Sequence, residues 1–436
     1  MKKLLLILGV LLITAPLSFA ALENVKVSGG IITNGVVENI SLGSKLGTPD
    51  ESNFLTLQGY LQINADLTEN IFAAIRMLTE KNWGISTAAS TDVDLDQCYV
   101  TLKEFVNENL TLVIGRQPLK YGSGLIVGDP DTNRDISEVQ NSFFLTDLSL
   151  RKSFDAVKAV LDLAPLTIDL IYAKVDSGSN IDRDDDTDLY GVNLKYDVGK
   201  KNAILEAYFF AKRTGQQGKG NPSEKKDTVY CVGVRGQGDL NENLSLTGEV
   251  AYQFGDYQSA SNVSKNNNRS AVGVQVGVNY NLEKAGVGLI YTYLSGDDRG
   301  TSTYEGWDPM FEDQSPGIIA NLLFANTNSH VISLTGQTKL RDDVTLWGLY
   351  SHLILAEKIP VSQISVNTIR GSNTYTYAVN TNEKDIGDEL DFGLVYDYNE
   401  DVQFGLCTAL FFPSDLFASS NDDVGYQVRG AVKVTF

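Results

Sequence analysis

The last thirteen residues, Val424 to Phe436, alternate without a break. Val424, Tyr426, Val428, Gly430, Val432, Val434 and Phe436 fall on one side of an extended strand; Gly425, Gln427, Arg429, Ala431, Lys433 and Thr435 fall on the other. Side chains along a strand point to opposite faces in turn, so one face here is apolar and the other polar. A transmembrane barrel closes on such a strand, with lipid outside and water inside.

The same period recurs upstream. In Phe54 to Leu67, Leu55, Leu57, Leu61, Ile63 and Leu67 face one way, and Thr56, Gln58, Tyr60, Gln62, Asn64 and Asp66 the other, which implies a watery lumen. Val272, Val274, Val276, Val278 and Tyr280 oppose Gln275 and Asn279; Leu390, Phe392, Leu394, Tyr396 and Tyr398 oppose Glu389, Asp391 and Asp397. Aromatic residues gather near strand ends, among them Phe209, Tyr280, Tyr291, Tyr293 and Tyr398, as the interfacial girdles of a membrane barrel require.

Short polar turns separate strands on one side: Thr68-Glu69-Asn70, Asn107-Glu108-Asn109, Asn241-Glu242-Asn243, Arg341-Asp342-Asp343 and Asn399-Glu400-Asp401. Between them lie longer polar segments, the largest near 122–152, 297–329 and 359–384. Nine long loops alternating with eight turns predict an all-β, antiparallel transmembrane barrel of about 18 strands, with short periplasmic turns, long extracellular loops and both ends on the short-turn side.

Met1, Lys2 and Lys3, the apolar run Leu4 to Leu17 and Ser18-Phe19-Ala20 read as a cleaved secretory signal over residues 1–20, leaving 21–436 as the barrel. At 436 residues the length suggests about three soluble domains, yet no linker or composition shift divides it, and one domain is expected. Later stretches fall short of the roughly 18 apolar residues of a membrane helix.

Chemistry beyond passage has little support. Cys98, Cys231 and Cys407 sit singly in strand patterns, and His330 and His352 are the only histidines, so neither a disulfide framework nor a metal site is expected. The net charge of -20 argues against nucleic acid as a partner. No phosphate-binding glycine loop occurs, and no cofactor is expected. The acidic run Asp182, Asp184, Asp185, Asp186 and Asp188 lacks calcium-loop spacing and reads as a solvated loop.

Strand parity places Arg76, Lys103, Lys158, Lys195, Lys212, Arg235, Lys339, Arg429 and Lys433 inside, together with Asp162, Asp169, Asp197, Glu206, Glu249, Glu389 and Asp391. The wall is therefore mixed in charge. The expected pore lining is Arg76, Lys158, Arg235 and Arg429 facing Glu206 and Glu249, with Gln58, Tyr60 and Gln62 as hydrogen-bonding wall. Arg116 falls on the apolar parity of Leu110, Leu112 and Ile114, so either a bulge shifts the register or it leaves the membrane at the rim. The 122–152 loop, with Phe143, Phe144 and Leu145 as an apolar anchor, is expected to fold inward and narrow the lumen.

The fifth strand and its return carry an ordered set: Gly115-Arg116-Gln117, Tyr121-Gly122, Leu125-Ile126-Val127-Gly128, then Phe154-Asp155-Ala156-Val157-Lys158. This set resembles the alginate-export family of outer-membrane barrels over some 45 residues. The C-terminal strand also resembles the signature of bacterial outer-membrane proteins, in which a terminal Phe, here Phe436, is read by the assembly machinery. The resemblance implies an 18-stranded barrel in the cell outer membrane of a Gram-negative bacterium, among lipid and lipopolysaccharide. It also implies a porin-like channel passing small hydrophilic solutes or anionic saccharides. Two other classes stay open: a plugged structural or adhesin barrel, and a hydrolase, for which Ser351-His352 or His330 would supply the base.

Overall fold

A computed structural model describes residues 24–43, 51–84, 93–131, 148–177, 186–215, 227–257, 268–367 and 374–436. The expected signal segment, the Phe143 to Leu145 anchor and most of the Asp182 to Asp186 run lie outside the described residues.

Among these residues, twenty strands follow in order. They are β1 (Asn24–Asn39), β2 (Ser52–Thr68), β3 (Ile71–Asn82), β4 (Asp94–Leu102), β5 (Leu110–Pro118), β6 (Ser153–Leu163), β7 (Leu166–Asp176), β8 (Thr187–Asp197), β9 (Ile204–Thr214) and β10 (Asp227–Asp239). The second half comprises β11 (Leu244–Asp256), β12 (Asn268–Asn281), β13 (Ala285–Leu294), β14 (Ser329–Arg341), β15 (Val344–Leu355), β16 (Gln363–Asn367), β17 (Thr374–Ala378), β18 (Asp385–Asp397), β19 (Val402–Pro413) and β20 (Gly425–Thr435). A single turn of helix, α1 (Ala320–Leu323), lies between β13 and β14.

Eighteen strands form one sheet, and β16 and β17 form a separate hairpin. Each barrel strand pairs antiparallel with its neighbours in the chain, β15 pairing with β18 across the hairpin. The sheet closes where β20 meets β1, from Gly30 opposite Thr435 to Asn39 opposite Tyr426. Closure leaves no free edge, the condition under which strands span a membrane. The 18 strands, the short turns and the long loops agree with the expectation from sequence.

The alternation decides which way each side chain faces. In β2, Leu55 is exposed on the outer wall while Thr56 and Gln58 are buried inside; in β20, Val432 is exposed while Gln427 and Arg429 are buried. The outer surface is a belt of Val, Leu, Ile and aromatic side chains, such as Val234, Val250, Val276, Leu289 and Leu334, the inverse of a soluble domain. At the long-loop rim Tyr230 stacks between Phe209 and Phe254, at 6.0 and 5.3 Å. At the short-turn rim Tyr396, Tyr398 and Phe404 form a second aromatic group.

The seam depends on two adjacent glycines. A Cβ on Gly29 would lie 2.6 Å from the Phe436 ring, and one on Gly30 2.5 Å from the Tyr60 ring, so rings cover this point of β1 from both faces. Gly29 and Phe436 also exchange backbone hydrogen bonds of 2.8 and 3.0 Å.

The lumen is occupied at the long-loop end. Parts of the β5–β6, β13–β14 and β15–β18 connections fold inward and bury two apolar clusters against the wall. In one, Leu125, Ile126 and Val127 meet Trp307, Met310 and Phe311 over Phe154, Phe210 and Ala271. In the other, Ile318, Ile319 and Leu323 meet Tyr375 and Tyr377 over Trp347, Leu353 and Phe411. The Tyr377 hydroxyl donates to the Ile40 carbonyl at 2.5 Å.

Candidate functional site

Around one side of the wall, successive strands bring lumen-facing polar residues side by side in one hydrogen-bonded row, which climbs away from the short turns with the strand tilt. The register runs Lys195 (β8), Glu206 (β9), Arg235 (β10), Glu249 (β11), Gln275 (β12) and Thr292 (β13). Arg235 donates to Glu206 at 2.7 Å and to Gln237 at 2.6 Å, and its Nε lies 3.7 Å from Glu249. Cation and carboxylates are therefore neighbours on the wall, Arg235 meeting Glu206 and Glu249 from the adjacent strands on either side. Parity fixes which face a residue takes, while register fixes its height and neighbours, and only the first is written in a strand's own sequence.

Two inward loops meet above this row. Ser123 donates to Glu249 at 2.8 Å, and the Tyr208 hydroxyl donates to the other oxygen of that carboxylate at 2.7 Å. Gln314, from the β13–β14 loop, donates to the Ser123 hydroxyl at 3.0 Å and exchanges hydrogen bonds of 2.9 and 3.1 Å with Gln275. Lys120 reaches Asp313 at 2.8 Å, and Lys152 lies 2.5 Å from Asp129 and 3.5 Å from Asp313. Gly122 adopts a φ of +59°, and a Cβ there would meet the Arg235 side chain at 3.1 Å, which is the close approach that glycine permits. Lys120, Ser123, Arg235, Glu249, Gln275 and Asn279 border a polar cavity of about 230 Å³ beneath the loops.

Further round, Asp308 anchors the same loop. It accepts from Lys212 at 2.9 Å and lies 3.6 Å from Arg269, while Gln253 donates to its carbonyl at 2.7 Å. Burial pushes the Asp308 carboxyl upward, but Lys212 and Arg269 outweigh it and hold the group below the usual carboxylate range. Opposite, the wall acids Glu389 and Asp391 are fully buried and accept the backbone amides that open α1: Ile318 to Asp391 at 3.0 Å, Ile319 and Ala320 to Glu389 at 2.7 and 2.6 Å. These carboxylates, expected as wetted wall, are structural acceptors for a loop.

The remaining expected lining residues divide in two. Arg76 pairs with Asp96, donates to the Leu150 carbonyl at 3.2 Å and lies 6.0 Å from the Tyr60 ring centre; Gln62 donates to Asn64 at 3.2 Å. Lys158 faces inward from β6, beside Asp169 of β7, which accepts from the Tyr121 hydroxyl at 2.9 Å. Gln58, Glu249 and Arg429 are covered instead of lining open water. Gln58 donates to the Leu148 carbonyl at 2.8 Å, and Arg429, 1% exposed, donates to Gln427. Incoming loops take the hydration these groups had in the extended reading.

The fifth-strand motif has a wall role. Gly115 has a φ of +120°, Gln117 turns inward and donates to the carbonyls of Val113, Gly115 and Ala156, and Phe154 packs edge-on against Phe311 at 5.9 Å. Arg116 stays on the outer face and lies 3.9 Å from Asp155, which decides between the two sequence alternatives in favour of the rim. Lys120, Ser123, Asp308, Asp313 and Gln314 were not expected. Their partners lie up to 193 positions away, and no local pattern marks them.

A profile of the family described as alginate export matches residues 44–430. Among solved structures, Pseudomonas aeruginosa OccK2 (OpdF), in complex with glucuronate, aligns with a TM-score of 0.59 at 12% identity over 95% of this chain and 98% of its own. OccK9 (OpdG) of the same organism gives 0.58 at 12% identity, covering 95% and 99%, and OccK5 (OpdH) gives 0.56 at 11%, covering 95% and 98%. At these identities the likeness is one of fold. A search among curated proteins finds no significant match.

Proposed function

Since this chain belongs to the alginate-export family and is an 18-stranded barrel of the outer membrane, we propose that it is a passive channel for small hydrophilic solutes or anionic saccharides. The observation that carries this reading is the polar cavity where Lys120, Ser123 and Gln314 of two inward loops meet Arg235, Glu249 and Gln275 of the wall. Loops that narrow a wide barrel to a polar, charge-lined passage set which solutes cross it. Glucuronate in OccK2 belongs to that protein; here a uronate is one candidate solute.

Diffusion requires no catalytic group, and the geometry supports a non-enzymatic role. His352 lies on the outer face, 2.9 Å from Asp388, whereas the adjacent Ser351 turns inward and is 2.8 Å from the Ser333 hydroxyl. A nucleophile and its base must share a side of the strand. A filled, non-conducting barrel is the second reading, favoured by the two apolar clusters packed inside the wall.

Planar-bilayer recording of refolded protein tests both, with reversal potential under a salt gradient and block by uronate oligomers in the same session. Stable open current supports the channel, block narrows it to anionic saccharides, and absence of current selects the filled barrel.

A further inference from the structure

A second cavity, of about 200 Å³, lies at the long-loop end of the barrel between the β13–β14 loop, the β15–β18 connection and the wall. Leu323 of α1 and the adjacent Phe324 border it on one side, Leu353 and Leu355 of β15 on another, and Ile386 and Leu416 on a third. Ile359 and Ile364 complete the apolar lining and are only partly buried. No charged residue borders the chamber.

Most polar side chains around it are committed elsewhere. Asn326 donates to Glu312 at 3.0 Å and to the Gln314 carbonyl at 2.9 Å, Thr327 to the Trp307 carbonyl at 2.5 Å, and Asn328 to the Glu357 carbonyl at 2.9 Å. Ser365 lies 3.0 Å from the Thr376 hydroxyl. Ser329 is the exception. It opens β14 on the inward face, is 7% exposed, and its hydroxyl has no hydrogen-bond partner among the described residues. Ser329 also borders a narrower space, where Thr292, Ser333 and Thr335 lead to Gln275 and Ile290, which line the polar cavity as well. Apolar chamber, neck and polar cavity therefore adjoin along the β12–β15 wall, with Ser329 at the first junction.

We propose that the chamber binds a small, uncharged, single-ring aromatic compound carrying one hydroxyl, with the ring among Phe324, Leu353 and Leu355 and the hydroxyl bonded to Ser329 Oγ. A cavity of about 150 Å³ lined by Leu, Ile and Phe stays dry and holds one benzene; the chamber here is somewhat larger, with a lining of the same kind and one free hydroxyl. Mostly apolar walls with a single placed polar group are how small-molecule sites fix orientation. A sugar would bury hydroxyls around its whole ring against carbon, and a carboxylate would find no cation, both of which are unfavourable. The inference gives the channel reading a solute class, and transport of that solute rests on that reading, whereas binding does not.

The test is a fluorine NMR titration of para-fluorobenzyl alcohol and para-fluorotoluene against the folded protein in nanodiscs, with empty nanodiscs giving the lipid-partition background and glucose and benzoate as competitors. The alcohol is expected to bind saturably and to be displaced by benzyl alcohol but by neither competitor. Ser329→Ala should weaken the alcohol about fivefold, the scale of one neutral hydrogen bond, and leave the toluene unchanged, a difference that a general disturbance of the loop would not produce. Val331→Phe, which fills the chamber from the wall, should remove both. Binding no greater than to empty nanodiscs overturns the proposal, as does displacement by glucose or benzoate, or equal weakening of the two probes by Ser329→Ala. The wild-type titration decides even where Val331→Phe does not fold. Binding without ion current would keep the site and remove the channel; current without binding would do the reverse.

Discussion

Arg235 sits between two carboxylates, so its removal changes the sign of the wall around it. Arg235→Gln leaves Glu206 and Glu249 without their cation, and the cation-to-anion permeability ratio should rise by about twofold, read as a shift in reversal potential; an unchanged potential would place Arg235 outside the conducting path. Asp308 gives a pH prediction. Because its folded pKa lies below the ordinary value, its contribution is present above the unfolded pKa, near 4, and is lost as pH falls through the lower folded one. The loop should stay latched at pH 5, with current noise rising only in stronger acid. Asp308→Asn should bring that noise to neutral pH, since breaking a buried ion pair from one side costs about 3 kcal/mol. At the seam, Gly29→Val would drive a side chain into the Phe436 ring, and the folded fraction on unheated gels should fall severalfold if the terminal ring is needed there. At this scale the sequence was informative about direction and poor about company. Parity put Arg76, Lys158 and Arg235 inside, but only the register reveals that Arg235 has acids on both sides and that Arg429 is covered.

Among the elements, the strands were legible and the inward loops were not. Strands announce themselves through a local period of two, and even the awkward Arg116 obeys it, its charge on the outer face lying beside that of Asp155. The 122–152 segment was expected to fold in, and its described ends do; the β13–β14 loop, read from sequence only as a long polar segment, folds in as well and carries Trp307, Phe311 and α1 into both clusters. Nothing periodic marks a loop that binds another loop. Asp313 joins them through Lys120 and Lys152, so Asp313→Ala should let them separate, raising single-channel conductance by about twofold and shortening closed dwell times. Conductance equal to wild type would show that the apolar clusters alone hold the loops.

For the whole molecule, the count of 18 strands was available because every strand pairs with its chain neighbour, so turns and loops punctuate the sequence in the order they appear in space. That same plan distributes the difficulty of folding unevenly. Seventeen of the junctions join strands that follow one another around the ring, whereas the eighteenth must bring Gly30 to Thr435, the two ends of the barrel. Loop-closure entropy grows with the logarithm of the separation, and spanning some 400 residues in one step costs roughly 5 kcal/mol for a flexible chain. Were the hairpins added one at a time, the curling sheet would bring its margins together and shorten that search. Until the margins meet, β1 and β20 each present a full row of unpaired amides and carbonyls to whatever lies beside them. The wall is thus a zipper with one clasp, and a chain without its final strand is left with two adhesive margins in place of none.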